Sequence, residues 1–226
     1  MSFFPLSFPG TFLNLPDQAQ CQQGQRLMAI MEGAFTDAVA SLSLFQADSA
    51  RLAASYGSGS TLSEAPPDCP TCGTRRMPGH LERRLPFLHA RTFLYALDSL
   101  GKALTVLAEI ATVPSGVRRH RDAFRNALPS LTPLRDTAQH LEDRGRGLAK
   151  GGKPLNLKPV VNELFHFPGG GVLALDILNG DKYGSTTADG HYAQIEVNGA
   201  TLTTVHACLQ AVIDALPWRG PSRRYP

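Results

Sequence analysis

The sequence predicts a mainly α-helical protein, an antiparallel helical bundle with a small C-terminal antiparallel β-hairpin and a final helix. Several long segments in the first two thirds of the chain repeat apolar residues every three or four positions, as one face of a helix does. Alternation of apolar and polar residues appears later, in residues 191–197, and indicates a strand. Glycine, proline and serine are concentrated between the helical segments. This order favours packed helices with a small sheet added late.

The elements follow one another along a single predicted domain, residues 17–216. Residues 1–16 are expected to form an extended arm, and residues 217–226 a flexible tail. Residues 17–56 contain no proline and predict one long helix, or two with a bend near Gly33. A Gly/Pro/Ser-rich loop over 57–80 separates residues 17–56 from the segments that follow. Those segments are helices at 86–111, 117–128 and 130–150, the β-hairpin at about 172–197 and a last helix at 202–216.

Composition limits the class of protein. The chain has 226 residues, 42% hydrophobic and 18% charged, which is typical of a globular protein and not of a disordered one. A net charge of +3 permits contact with nucleic acid without predicting it. The N-terminus has no early Lys or Arg, and prolines interrupt its apolar residues, so no signal peptide is predicted. No apolar run approaches a membrane span, and we expect a cytoplasmic protein without a membrane partner.

The most chemically suggestive stretch is the predicted helix over residues 130–150. Thr132 can cap it, and Pro133 suits the first helical position, where a missing N–H is not needed. Asp136, His140 and Arg144 follow at a spacing of four residues and are expected to share one face. An ordinary solvated helix face has the same pattern.

Arg135, Asp136 and His140 carry a resemblance to a known family. An arginine followed by a polar residue, with a histidine a few positions later, resembles the motif of the HEPN superfamily of helical domains. The setting is similar too, because the motif lies early in a late helix that follows two long helices. In architecture the resemblance covers roughly residues 20–216, whereas in motif residues it rests on these three alone. Aspartate after the arginine is a permitted but less usual choice than asparagine.

The resemblance implies a metal-independent endoribonuclease of toxin or anti-phage type, with no cofactor. It also implies a homodimer whose two motifs line one cleft, and a cognate regulatory protein as a further partner. His140 would exchange protons with the RNA, Arg135 would bind the phosphate and Asp136 would orient the imidazole ring. One geometric obstacle is that Arg135 and His140 are five positions apart, about 140° around a helix. The pair therefore needs a long arginine reach or a partner subunit.

Two further interpretations stay open. The same fold can serve as a non-catalytic HEPN-like binding or regulatory module, or the motif can be incidental on a helical protein. A basic segment, which includes Arg121 and Arg125, could guide RNA toward the next helix together with Arg144, although a solvated face explains it equally.

The pair Cys69 and Cys72 has the spacing of half a zinc site. Tetrahedral zinc needs two more ligands, and the nearest histidines, His80 and His89, match no common spacing. A loop with two free thiols is therefore the favoured interpretation, and no metal site is predicted.

Overall fold

The structure is a computed structural model that describes residues 4–57 and 78–225. Most of the described chain is helical, which confirms the mainly α prediction. Cys69 and Cys72 lie outside the described residues. The α-helices are α1 (Gln18–Gly57), α2 (Gly79–Glu82), α3 (Leu85–Glu109), α4 (Gly116–Ala127), α5 (Leu131–Gln139), α6 (Leu141–Gly145) and α7 (Gly199–Ala215). The strands are β1 (Leu6–Phe8), β2 (Phe12–Leu13), β3 (Val160–Val161), β4 (His166–Phe167), β5 (Ile177–Asn179), β6 (Lys182–Thr186), β7 (Tyr192–Glu196), β8 (Trp218–Arg219) and β9 (Arg223–Tyr225).

The long helices α1 and α3 form the centre of the bundle. His89 near the start of α3 is 3.0 Å from Asp48 late in α1, and the side chain of Gln20 near the start of α1 accepts hydrogen bonds from Thr112, just beyond α3. The two helices are therefore antiparallel. Their facing sides supply much of the core, including Met28, Met31, Phe35, Phe45, Phe93, Leu97, Leu100 and Leu104. The 3.6-residue period of these side chains is what makes both segments helical in this chain.

Helix α1 is continuous, which resolves the predicted alternative of a bend near Gly33. In the described part of the chain it is the one helix long and apolar enough, by length and composition alone, to cross a membrane. A core helix of a soluble protein meets the same criterion, and α1 places one face against α3.

The two ends of the chain pair with each other. Strand β1 runs antiparallel to β9, and β2 runs antiparallel to β8. The guanidinium of Arg223 lies 3.8 Å from the centre of the Phe8 ring and donates to both carboxylate oxygens of Glu32 on α1. Residues 217–226 were expected to form a flexible tail, yet Trp218–Arg219 and Arg223–Tyr225 form strands, because the N-terminal arm supplies their backbone partners.

The small sheet in the region of the predicted β-hairpin has three strands. Strand β6 lies between β5 and β7, and both pairings are antiparallel. Leu178 to Tyr183 includes the turn at Gly180, whose φ of 59° suits a residue without a side chain. The first strand of the hairpin predicted at about 172–197 covers only Ile177–Asn179, because Asp176 before it takes a left-handed conformation with φ of 54°.

The predicted helix at 130–150 is interrupted at His140, and this corrects the sequence analysis. His140 has φ of −129° and ψ of 40°, so it ends α5 and precedes the short helix α6. Gly145 and Gly147 weaken any continuation, and Gly147 takes a φ of 73° as the chain turns. Asp136, His140 and Arg144 therefore do not form one helix face.

Candidate functional site

Arg135 of α5 is the centre of the candidate site. Its Nη1 is 2.8 Å from Asp136 Oδ1 and donates to Gln139 Oε1 at 3.0 Å. Its Nε lies 3.1 Å from Asp98 Oδ2 but is buried without a hydrogen bond of good geometry. The side chain is 14% exposed. This arginine is thus held inside the protein by its neighbours and is not free on a solvated face.

Asp98 is the acidic partner that sequence reasoning missed. It lies on α3 among apolar residues, with 8% of its side chain exposed, and Lys102 Nζ approaches its carboxylate to 2.8 Å. A buried carboxylate is stable only when it is paired, and here one aspartate serves both Lys102 and Arg135. The four-residue spacing of Asp98 and Lys102 is visible in the sequence, but nothing there connects the pair to Arg135.

His140 is separate from this ion-pair cluster. Its ring is 56% exposed, and Nδ1 is 3.8 Å from Glu142 Oε1. In the described chain no hydrogen bond or ion pair joins His140 to Asp136, because the Asp136 carboxylate contacts Arg135 instead. The predicted role of Asp136 as the group that orients the imidazole is therefore not what the structure shows.

The three residues predicted to bind RNA differ in their surroundings. Arg144 is buried and donates to the carbonyl of Leu148, so it stabilises the turn after α6 and is not presented to a ligand. Arg121 on α4 lies 2.8 Å from the carboxylate of Asp122. Arg125, also on α4, is exposed and donates to Thr105 Oγ1 at 3.1 Å, and no carboxylate in residues 4–57 or 78–225 pairs with it. Of these three arginines, Arg125 is the one that keeps an unbalanced charge at the surface.

A cavity of about 690 Å³ lies between α3, α4 and α5, and both Arg125 and Arg135 line it. Polar groups of all three helices reach its wall, and apolar side chains form much of the rest. The lining residues are Asp98, Gly101, Lys102, Thr105, Val106, Phe124, Arg125, Leu128, Pro129, Leu131, Thr132 and Arg135. A Cβ on Gly101 would come within 2.8 Å of the Phe124 ring, so this glycine permits the close approach of α4. His140 is not part of the wall.

A second polar cluster joins α3 to the sheet. Asp176 accepts from Arg84 at 2.6 Å and from Arg91 Nε at 2.9 Å, and its own N–H donates to the hydroxyl of Ser185. The Tyr183 hydroxyl is buried beside Arg91 and Asp176 without a well-formed hydrogen bond. Burial, reinforced by the negative charge of Asp176, raises the pKa of Tyr183 to about 12. Through the ion pairs of Asp176 with Arg84 and Arg91, the cluster connects the sheet to the helical bundle.

One group of side chains has the composition of a cation site. Donor atoms of His140, Glu142 and Asp143 lie within 4.8 Å of one another, and two of these side chains are exposed. Asp143 is also paired with Arg146 at 2.5 Å, which takes up part of its charge. Neighbouring acidic residues on a surface turn commonly have this arrangement without a metal.

Comparison of the chain with protein-family models, with curated proteins and with solved structures finds no match.

Proposed function

We propose that the protein is a non-catalytic binding module whose cavity between α3, α4 and α5 takes a small anionic ligand with an apolar body. The observation that carries the proposal is the charge of the cavity wall. Lys102, Arg125 and Arg135 contribute three positive charges, whereas Asp98 contributes the one negative charge in the lining. The lining alone has a net charge of +2, and Asp136, which pairs with Arg135 beside the wall, reduces this to +1, which still favours an anion.

The shape of the site supports a ligand larger than a simple ion. A volume of about 690 Å³ lies within the usual range for small-molecule sites. Val106, Phe124 and Leu131 offer apolar surface beside the charged groups. A phosphate or sulfonate would meet Arg125, and a flat apolar group would pack against the helices. Nucleoside monophosphates have this combination of charge and ring.

The bundle itself is proposed to be HEPN-like. The support for this assignment is the long antiparallel pair α1 and α3, followed by the shorter helix α5 that carries the Arg135 motif. In this proposal Arg135, the arginine of the motif, is part of the wall of the binding cavity.

Binding is tested with the anionic fluorophore 8-anilinonaphthalene-1-sulfonate. We expect saturable fluorescence that Arg125→Gln and Lys102→Gln each weaken about fivefold, equivalent to about 1 kcal/mol per lost charge contact. Arg119→Gln is the matched control, since Arg119 is an exposed arginine of α4 outside the cavity wall. The neutral analogue N-phenyl-1-naphthylamine should be insensitive to all three changes.

Competition then identifies the kind of ligand. Adenosine monophosphate should displace the fluorophore at lower concentration than inorganic phosphate, because it adds apolar contact. A wild-type protein that shows no saturable binding contradicts the proposal, and so does an equal loss of affinity in Arg119→Gln.

The second candidate function is a metal-independent endoribonuclease, and one observation favours it. The His140 imidazole is exposed and has the Glu142 carboxylate beside it, so it is accessible to a substrate as a general acid or base. Arg135 would supply phosphate binding from the preceding helix. Cleavage of single-stranded RNA in the presence of EDTA tests this function.

A further inference from the structure

The outer face of α1, opposite to α3, exposes large apolar side chains beside two charged ones. Exposed residues recur along it at intervals of four and three positions, namely Arg26, Ile30, Gly33, Asp37, Ala40 and Leu44. Ile30 is 53% exposed and Leu44 is 51% exposed. Alternating steps of four and three are the spacing with which one helix packs along another.

The two charges on this face are opposite in sign and unused within the protomer. Neither Arg26 nor Asp37 makes a hydrogen bond or an ion pair with any residue that the structure describes. They are eleven positions apart, or about 16 Å along the helix, so they are too distant to pair with each other. A second helix can pair with both at once.

A glycine in the middle of the face is also unexplained by the protomer. Glycine at an interior helical position is destabilising relative to alanine. A Cβ on Gly33 would meet nothing within 4 Å, so packing inside the protomer does not require its absence. The close approach of a side chain from outside the protomer would require the absence of this Cβ.

We propose that two copies of the chain pair through this face, with their α1 helices antiparallel across a two-fold axis near residues 31 and 32. In that register Arg26 faces Asp37 of the partner subunit, and the two-fold axis repeats the contact. Ile30 fits the space left by Gly33 of the partner subunit. A parallel pairing is disfavoured because it would set each charge against its own copy.

This interface is independent of the proposed binding function. The face belongs to α1, whereas the cavity is lined by residues of α3, α4, α5 and their connections. An experiment that contradicts the α1 interface therefore does not contradict the binding cavity, and the reverse is also true. The two proposals are tested by different experiments.

The test is a pair of charge reversals measured by sedimentation equilibrium and light scattering. We expect the wild type to form a dimer and both Arg26→Asp and Asp37→Arg to raise its dissociation constant about tenfold or more, since each variant sets two like-charge pairs at the interface. Glu109→Arg is the control, because Glu109 is an exposed acid of α3 outside this face. Circular dichroism verifies that the variants fold.

A mixture of the two single variants decides the register. Arg26→Asp mixed with Asp37→Arg should form a heterodimer, because each reversed charge then faces an opposite one. The double variant should regain the wild-type dissociation constant for the same reason. A wild type that stays monomeric, single variants that dimerise normally, or a mixture that does not pair would each overturn the proposal. Monomers that co-sediment with phosphatidylcholine vesicles would assign the face to a membrane surface instead.

Discussion

Replacing Asp98 by asparagine is expected to weaken the fold and, at the same time, to tighten the binding of an anion in the cavity. The change keeps the size of the side chain and removes its negative charge. Lys102 is 59% exposed, so loss of its pairing should cost less than about 1 kcal/mol. Arg135 is 14% exposed and loses a partner in a buried setting. The loss of stability therefore comes mainly from Arg135, whereas the gain in anion binding comes from the charge of the wall.

The size of each effect follows from the contacts. Removal of one partner of a buried ion pair costs about 3–5 kcal/mol when nothing else compensates. Arg135 keeps Asp136 and Gln139 as partners, so we expect the free energy of unfolding to fall by about 2–3 kcal/mol. The cavity gains one unit of positive charge, which should lower the dissociation constant of the anionic fluorophore about fivefold, or about 1 kcal/mol.

Urea denaturation followed by circular dichroism measures the first effect, and fluorescence titration measures the second. Asp122→Asn is the matched control, because Asp122 is 54% exposed on α4 and pairs with a neighbouring arginine. It should change stability by less than about 0.5 kcal/mol. Unchanged stability in Asp98→Asn, or weaker binding of the anion, would refute the assignment of Asp98 as the shared counter-ion of this wall.

Three other expectations are measurable. If the chain is a ribonuclease, EDTA-resistant cleavage of labelled single-stranded RNA should fall about a hundredfold or more in His140→Ala and in Arg135→Ala; cleavage that survives both changes removes that function. The pKa of Tyr183 is about 12 in the folded chain against about 10 in the unfolded chain, so the fold favours the protonated phenol. The stability that this shift contributes is fully present below pH 10, and the free energy of unfolding should fall by about 2–3 kcal/mol between pH 10 and 12. Tyr183→Phe should lack this decline. Arg223→Ala should lower the free energy of unfolding by about 1.5–3 kcal/mol, since the ion pair with Glu32 of α1 and the contact with the Phe8 ring are both lost. Arg224→Ala, at an exposed position, should have little effect, and equal losses in the two variants would contradict a stabilising role for the Arg223 contacts.

The helices with regular apolar spacing could be predicted from the sequence, whereas the pairings between distant parts of the chain could not. Helix α1 was predicted at 17–56 and is observed at Gln18–Gly57, because forty residues of regular apolar spacing dominate any local ambiguity. The last helix begins three residues earlier than predicted, where Asn198 accepts a hydrogen bond from the N–H of Thr201 and caps it. That cap is a sequence signal that was overlooked. The pairing of the two termini joins residues about two hundred positions apart, which no local pattern indicates.

The candidate site was only partly predictable for the same reason. Arg135 was identified from its motif, but its environment depends on Asp98, which belongs to another helix 37 positions earlier. The break at His140 has no proline or glycine to mark it, so periodicity alone continued the helix through it. Arg144 then turns inward, although its charge and spacing indicated an exposed position. Arg144 instead donates to the carbonyl of Leu148, in the turn that follows α6.

The position of Arg135 also connects the two candidate functions. The guanidinium of Arg135 lines the cavity and would also bind the phosphate in any cleavage reaction. Its contacts to Asp98 and Asp136 already occupy part of it. An anion in the cavity would draw Arg135 toward the cavity, whereas RNA at His140 would draw it toward the end of α5. If both functions exist, they compete for this side chain. Adenosine monophosphate should then inhibit RNA cleavage in the wild type, and the inhibition should weaken in Arg125→Gln, where the cavity has lost one of its exposed cations. Inhibition of equal strength in both proteins would place the inhibitor at the RNA site and remove the link between the cavity and the motif.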